Sequence, residues 1–245
     1  MKRIEIRTED GRCPAYVFRP DGVQPLPAVL FFMDGIGIRP ALFAMGERLA
    51  LGGYHVLLPD LFYRAGPYEP MDAKAVFSDP AKRAELSRRF TSGATVPNMM
   101  RDTGAFLAQL AGDAGVRQPK VATVGYCMGG RLSLCAAGHY PDRISAAASY
   151  HGGNLANEAP ESPHLLAPKM KAAIYVAGAT DDANFPAEQK TRLEAALTAA
   201  GVEHVIETYP ARHGWVPSDT PVHDPQAAER HWQTLLDLLD RSLRT

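Results

Sequence analysis

The chain has 245 residues, of which 46% are hydrophobic, and a formal net charge of −1. This size and composition predict one domain over residues 1–245, with a sizeable core and no need for a second domain. The near-neutral charge gives no electrostatic basis for binding nucleic acid or an anionic membrane. No apolar run approaches the roughly 20 residues that cross a bilayer, and the N-terminus lacks the apolar core of a signal peptide, so we expect a cytoplasmic protein.

Strands and helices are predicted to alternate along the chain. The first two strands flank Asp10-Gly11, which indicates an antiparallel hairpin at the edge of a sheet. Residues 65–98 form the least regular region, apart from one charged helix whose face we expect to be solvated. The predicted strands span 3–7, 15–19, 28–33, 54–58, 121–125, 146–150, 172–176 and 204–209. The predicted helices span 40–51, 80–89, 97–110, 131–138, 186–200 and 225–243. This order predicts an α/β fold with a mostly parallel central sheet and helices on both faces.

The most informative segment is residues 125–130, Gly-Tyr-Cys-Met-Gly-Gly, which follows a short apolar strand and precedes a helix. A G-x-S-x-G pattern at such a turn is the nucleophile elbow of the α/β-hydrolases, and here Cys127 stands where the serine would be. A cysteine after a strand is often only a small buried hydrophobe. The flanking glycines and the strand–turn–helix context favour a nucleophile instead.

Active sites of open α/β sheets lie at the carboxyl ends of the strands, so polar residues just after predicted strands are candidates. These candidates are Asp34, Asp60, Cys127, His151, Asp181 or Asp182, and His213. A nucleophile, an acid and a histidine occur in the chain order of the α/β-hydrolases. Imidazole suits the removal of a thiol proton near neutral pH, and a carboxylate would hold that imidazole in one tautomer.

Alternative interpretations exist for each of these positions. Asp182 could cap the helix that starts near residue 186, and His213 could be an ordinary loop histidine. His151 is a rival base, but its place before the acid breaks the expected order, so we interpret it as a pocket-lining or structural histidine.

The cysteine and histidine content gives no sign of a disulfide framework or a metal site. The three cysteines are Cys13, Cys127 and Cys135. On one helix, Cys127 and Cys135 would be about 12 Å apart, which is too far to bridge. No metal-binding motif is present, so we expect neither a metal nor another cofactor.

Several segments together resemble the dienelactone hydrolase family. They are Gly125–Gly130, Pro59–Arg64, Asp182–Pro186, His213–Trp215 and Ala227–Trp232, and the resemblance covers nearly the whole chain. It implies an α/β-hydrolase fold and hydrolysis of a small ester or lactone. The implied catalytic residues are a cysteine nucleophile, Cys127, with Asp182 and His213, and the register of the acid segment favours Asp182 over Asp181.

The resemblance also implies an oxyanion hole formed by the backbone N–H groups of Gly35 and Met128. Well-known members of the family carry a glutamate in the loop after the strand at 28–33, where it helps to generate the thiolate. Here the loop carries Asp34, which is one methylene shorter and is our candidate for tuning the thiol.

The family prototype binds a small anionic lactone through arginines. Arg64, Arg88 and Arg89 are the candidates for that role in this chain, and Tyr126 and His151 are expected near the pocket. We expect a small-molecule substrate and a monomer or small homo-oligomer. A redox-active thiol protein, or a non-catalytic protein on the same fold, is the alternative.

Overall fold

The computed structural model describes residues 1–22 and 24–244, apart from the side chains at 118 and 119. Within these residues the chain forms eight strands and seven α-helices. The strands are β1 (Lys2–Thr8), β2 (Gly11–Phe18), β3 (Leu26–Phe32), β4 (His55–Pro59), β5 (Val116–Tyr126), β6 (Ile144–Tyr150), β7 (Ala173–Gly178) and β8 (His204–Thr208). The helices are α1 (Pro40–Leu51), α2 (Ala73–Ser78), α3 (Pro80–Arg89), α4 (Val96–Gly112), α5 (Met128–His139), α6 (Ala187–Ala199) and α7 (Pro225–Leu243).

All eight strands belong to one sheet in the order β1-β2-β4-β3-β5-β6-β7-β8. β1 and β2 form the predicted antiparallel hairpin, and β2 also pairs antiparallel with β4. Each later pair is parallel. Every residue of β4 is buried. Because successive side chains of a strand point to opposite faces, both faces of the sheet are covered there.

Helix boundaries follow local sequence signals at several positions. α7 begins at Pro225, and the side chain of Asp224 accepts a hydrogen bond from the Ala227 N–H at 2.9 Å, as the capping pattern predicts. Its buried face includes the predicted Trp232 and also His231, which the apolar pattern does not indicate. None of the helices within residues 1–22 and 24–244 is long and apolar enough to cross a membrane.

Four strands or α-helices differ from the sequence prediction by three residues or more. β2 begins at Gly11 and β5 at Val116, four and five residues earlier than predicted. α5 begins at Met128, three residues earlier than predicted, so that Cys127 lies directly at its N-terminus. The short helix α2 is not predicted, because six residues are too few to establish a helical period. α3 has the predicted bounds and exposes nearly all of its side chains, but its Leu86 is buried.

Candidate active site

The turn between β5 and α5 has the geometry of a nucleophile elbow. Cys127 has φ of 54°, a left-handed conformation that is strained for a residue with a side chain. A Cβ on Gly125 would lie within 3.0 Å of the Gly129 carbonyl oxygen, and one on Gly129 within 3.0 Å of the Phe32 carbonyl oxygen. Glycine is therefore required at both positions, because the backbones of β5, α5 and the end of β3 approach each other so closely.

Three side chains from separate loops meet at this turn. His213 Nδ1 lies 2.6 Å from Asp182 Oδ2, and the Cys127 thiol is within hydrogen-bonding reach of the same imidazole. The other carboxylate oxygen of Asp182 accepts hydrogen bonds from the Asn184 backbone N–H at 2.9 Å and from its side-chain amide at 3.1 Å. Asp181, in contrast, is exposed. The structure thus brings Asp182, rather than its neighbour, to His213.

Charges at this site shift two pKa values in opposite directions. Burial lowers the pKa of His213, but the negative charge of Cys127 and the hydrogen bond to Asp182 outweigh it and raise that pKa to about 10. Burial raises the pKa of Asp182, but the hydrogen bond and charge of His213 bring it below its ordinary value. The arrangement stabilises an imidazolium between two negative groups.

A second histidine lies behind the cysteine. The Cys127 backbone N–H donates a shared hydrogen bond to His151 Nδ1 and to the Tyr150 carbonyl oxygen, both at 3.1 Å, and the ring centroids of His151 and His213 are 5.3 Å apart. Burial and the charge of His213 hold the pKa of His151 well below its ordinary value. Because its Nδ1 accepts a hydrogen bond, the neutral ring carries its proton on Nε2, which is buried without a protein partner. His151 supports the turn and lines the cavity beside Cys127.

The loop after β3 lies against the start of α5. A Cβ on Gly35 would be 4.0 Å from the Cβ of Met128. Met128 is the first residue of α5, so its N–H has no acceptor within the helix. This N-terminus also favours negative charge close to Cys127. The two residues expected to form an oxyanion hole are therefore neighbours.

Asp34 belongs to a buried ion-pair network. Its Oδ1 and Oδ2 each accept a hydrogen bond from the Arg39 guanidinium at 2.8 Å, and Oδ1 also accepts one from the Ile36 N–H at 3.0 Å. Arg39 Nε in turn donates to Asp219 Oδ2 at 2.6 Å. The structure thus ties Asp34 to the frame of the Gly35 loop, although it also borders the cavity.

The expected arginines lie elsewhere. Arg64 pairs with Asp10 at 2.6 Å and with the buried Asp102 at 2.7 Å, away from Cys127. Arg89 stacks over the Phe90 ring. The structure does not bring Arg64, Arg88 or Arg89 to the walls of the cavity at Cys127.

Tyr126 is fully buried beneath the elbow, with its hydroxyl 2.7 Å from His231 Nε2. It supports the turn from inside the core and has no exposed surface toward the cavity.

The cavity at Cys127 has a volume of about 460 Å³. Its walls include Phe77 and Arg83 from the region of α2 and α3, and Asn184 beside Asp182, none of which sequence reasoning indicated. A larger groove of about 630 Å³ lies on the other side of Val76 and Leu86 and contains none of Cys127, Asp182 and His213. We take the smaller cavity as the site, because it is the one that opens onto the thiol.

Comparisons with known proteins identify the family of this chain. The sequence profile of the dienelactone hydrolase family matches residues 13–243. A Yersinia pestis protein named "Putative carboxymethylenebutenolidase" is 29% identical over 238 residues, which cover 95% of this chain and 85% of that protein. The "Carboxymethylenebutenolidase" of Rhodococcus opacus is 24% identical over 245 residues, covering 92% of this chain and 90% of that protein.

Solved structures show the same fold. The dienelactone hydrolase-like promiscuous phosphotriesterase P91 from metagenomic libraries superposes with a TM-score of 0.79 at 22% identity, covering 99% of this chain and 98% of that one. This likeness confirms the predicted α/β-hydrolase fold. With the family profile matching nearly its whole length, the chain belongs to the dienelactone hydrolase family and is a hydrolase of carboxylic esters or lactones.

Proposed function

We propose that this hydrolase cleaves a small carboxylic ester or lactone through a covalent thioester on Cys127. The observation that supports this most directly is the His213 imidazole, hydrogen-bonded to Asp182 at 2.6 Å and within reach of the Cys127 thiol. A nucleophile, a base and an orienting carboxylate in contact are what covalent acyl transfer requires.

In the first half of the proposed reaction, the Cys127 thiolate attacks the carbonyl carbon while the proton from its thiol is held on His213. The carbonyl π electrons move to oxygen, and the oxyanion accepts hydrogen bonds from the N–H groups of Met128 and Gly35. The intermediate then collapses and the carbon–oxygen bond to the leaving alcohol breaks. The leaving oxygen takes the proton from His213 Nε2, which leaves a thioester on Cys127 and a neutral imidazole.

In the second half, His213 removes a proton from water, and the resulting hydroxide attacks the thioester carbonyl. The same two N–H groups stabilise the second oxyanion, which collapses to release the carboxylic acid and the Cys127 thiolate. Asp182 stabilises the imidazolium in both halves and keeps Nδ1 protonated, so that Nε2 faces the reaction. Preorganised oxyanion donors of this kind are worth roughly 3–4 kcal/mol each.

Asp34 enters this proposal as a positioning residue rather than as a base for the thiol. Both of its oxygens are held by Arg39, so it carries the Gly35 N–H toward the oxyanion instead of contacting the sulfur. An Asp34→Asn variant should therefore leave the pH profile of Cys127 alkylation unchanged, whereas a shifted profile would support a thiol-tuning role.

The test combines turnover with trapping of the intermediate. Hydrolysis of p-nitrophenyl acetate should be lost in Cys127→Ala and strongly reduced in Cys127→Ser, because a hydroxyl needs more activation than a thiol. Mass spectrometry after rapid acid quench should show one acetyl group on Cys127 of the wild type. Cys135→Ala is the matched control, and Cys127→Ala with wild-type turnover would refute the nucleophile.

A second pair of variants tests the acid. Asp182→Asn removes the partner of His213 and should lower kcat severely, whereas Asp181→Asn changes an exposed neighbour and should have little effect. The opposite ranking would refute the assignment of Asp182.

The redox alternative has little support from the other thiols. Cys13 and Cys135 are buried, and burial raises the pKa of Cys135 to about 12, so neither offers a reactive thiolate to resolve an oxidised Cys127.

A further inference from the structure

One wall of the cavity is apolar and adjoins the catalytic histidine. It is formed by Val76, Phe77 and Leu86 from α2 and α3. A Cβ on Gly214 would lie 2.8 Å from the Phe77 ring, so this ring packs directly on the residue that follows His213. An acyl chain that runs along this wall meets hydrocarbon within the first few atoms beyond the carbonyl carbon.

The loop after β3 borders the same cavity through Asp34, whose carboxylate is bound by Arg39. Arg39 is fully buried and binds Asp34 and Asp219 at once, so two carboxylates share one guanidinium. Both of the Asp34 oxygens and the Arg39 donors are used within this network. The network therefore offers no free guanidinium donor to a substrate carboxylate.

Two cationic side chains line the cavity itself. Arg83 is exposed to solvent and donates a hydrogen bond to the neutral Phe77 backbone carbonyl, so its charge lies in water, where an ion pair is worth little. The charge on His213 is matched by Cys127 and Asp182, and His151 is neutral. Among the described residues that line this cavity, Arg83 and His213 are the only cationic side chains.

We propose that the site selects esters or lactones whose acyl group is uncharged and apolar. The inference rests on the proposed function of the same cavity and specifies its substrate class. A carboxylate at the far end of the acyl chain would lose its hydration against Val76, Phe77 and Leu86, and an exposed ion pair with Arg83 would not offset that cost. An aliphatic chain of the same shape gains from burial on that wall.

A matched pair of substrates tests this selection. p-Nitrophenyl 6-methylheptanoate and mono-p-nitrophenyl adipate share the leaving group and chain length, and an isopropyl end in the first has the shape of the carboxylate in the second. With the Cys127→Ala protein as the blank, kcat/KM for the neutral ester should exceed that for the anionic ester by at least about tenfold. Phe77→Ala should lower kcat/KM for the neutral ester and shrink the ratio.

Arg83→Gln separates the proposal from its rival. If the acyl wall determines the selection, the ratio stays within about twofold of wild type in this variant. Faster hydrolysis of the adipate ester, with the preference lost in Arg83→Gln, would make Arg83 a carboxylate receptor and overturn the proposal. If Cys127 hydrolyses both esters at the same rate, the proposed substrate class is wrong but the hydrolytic function stands. If neither ester shows turnover that depends on Cys127, the hydrolytic function is wrong as well.

Discussion

Removing Arg39 should destabilise the protein far more than removing an ordinary surface arginine. In Arg39→Met the apolar stem remains, but the Asp34 carboxylate, which is 4% exposed, loses both of its charged donors. Breaking a buried ion pair by removing one partner costs about 3–5 kcal/mol, because an uncompensated charge stays buried. The bond to Asp219 adds little, since that carboxylate is 34% exposed.

Urea unfolding at pH 7 measures this cost as a change in midpoint at constant slope. Arg12→Met is the matched control, because Arg12 pairs with Glu5 at the exposed edge of the sheet and should change stability by less than about 1 kcal/mol. Adding Asp34→Asn to Arg39→Met should recover part of the loss, since the double variant buries no charge. A loss below about 1 kcal/mol in Arg39→Met, or no recovery in the double variant, would refute the buried network as the frame of this loop.

Three further predictions concern the histidines. His151→Asn keeps a second acceptor for the Cys127 N–H and should retain kcat/KM within about twofold, whereas His151→Leu leaves this N–H with the Tyr150 carbonyl alone and should lose about fivefold; equal losses would contradict a role for the hydrogen bond to His151. In Cys127→Ala the NMR titration midpoint of His213 should fall from about 10 toward its ordinary value, and an unmoved midpoint would exclude the ion pair. Burial lowers the pKa of His231 to about 3, so below pH 6.5 the unfolded chain binds a proton that the folded chain does not. The free energy of unfolding should therefore fall less steeply between pH 6.5 and 4.5 in His231→Gln than in the wild type, by about 1.4 kcal/mol per pH unit. The same pH dependence in both proteins would contradict the lowered pKa of His231.

Features encoded by local sequence were predictable. The bounds of α1, α3 and α7 follow from proline at their first position together with helical periodicity. The elbow could be recognised because its glycines are required by close backbone approach, which leaves a fixed spacing in the sequence. Asp182 could be chosen over Asp181 as the partner of His213 only because a family motif fixes its position relative to Pro186.

Features that depend on distant pairing could not be predicted. From the sequence, Asp34 is a candidate for tuning the thiol, because nothing near it reveals that Arg39 bridges it to Asp219, which lies 180 residues beyond Arg39 in the chain. Arg64 was a candidate for substrate binding for the same reason, since its partner Asp102 lies 38 residues away. His231 interrupts an apolar helix face, and only the fold shows that the Tyr126 hydroxyl makes its burial tolerable.

The close packing of the elbow also bears on how this protein can change during evolution. The side chain at position 127 is half-buried and faces the cavity, so another nucleophile there leaves the surrounding backbone in place. At Gly125 and Gly129 even a methyl group would collide with main-chain oxygen atoms, which no rotamer change can relieve. The side chain at position 127 can therefore be changed without moving the turn, even where turnover falls, whereas the turn tolerates no substitution at these two glycines. A change of nucleophile is thus more accessible to this chain than a new backbone for its turn.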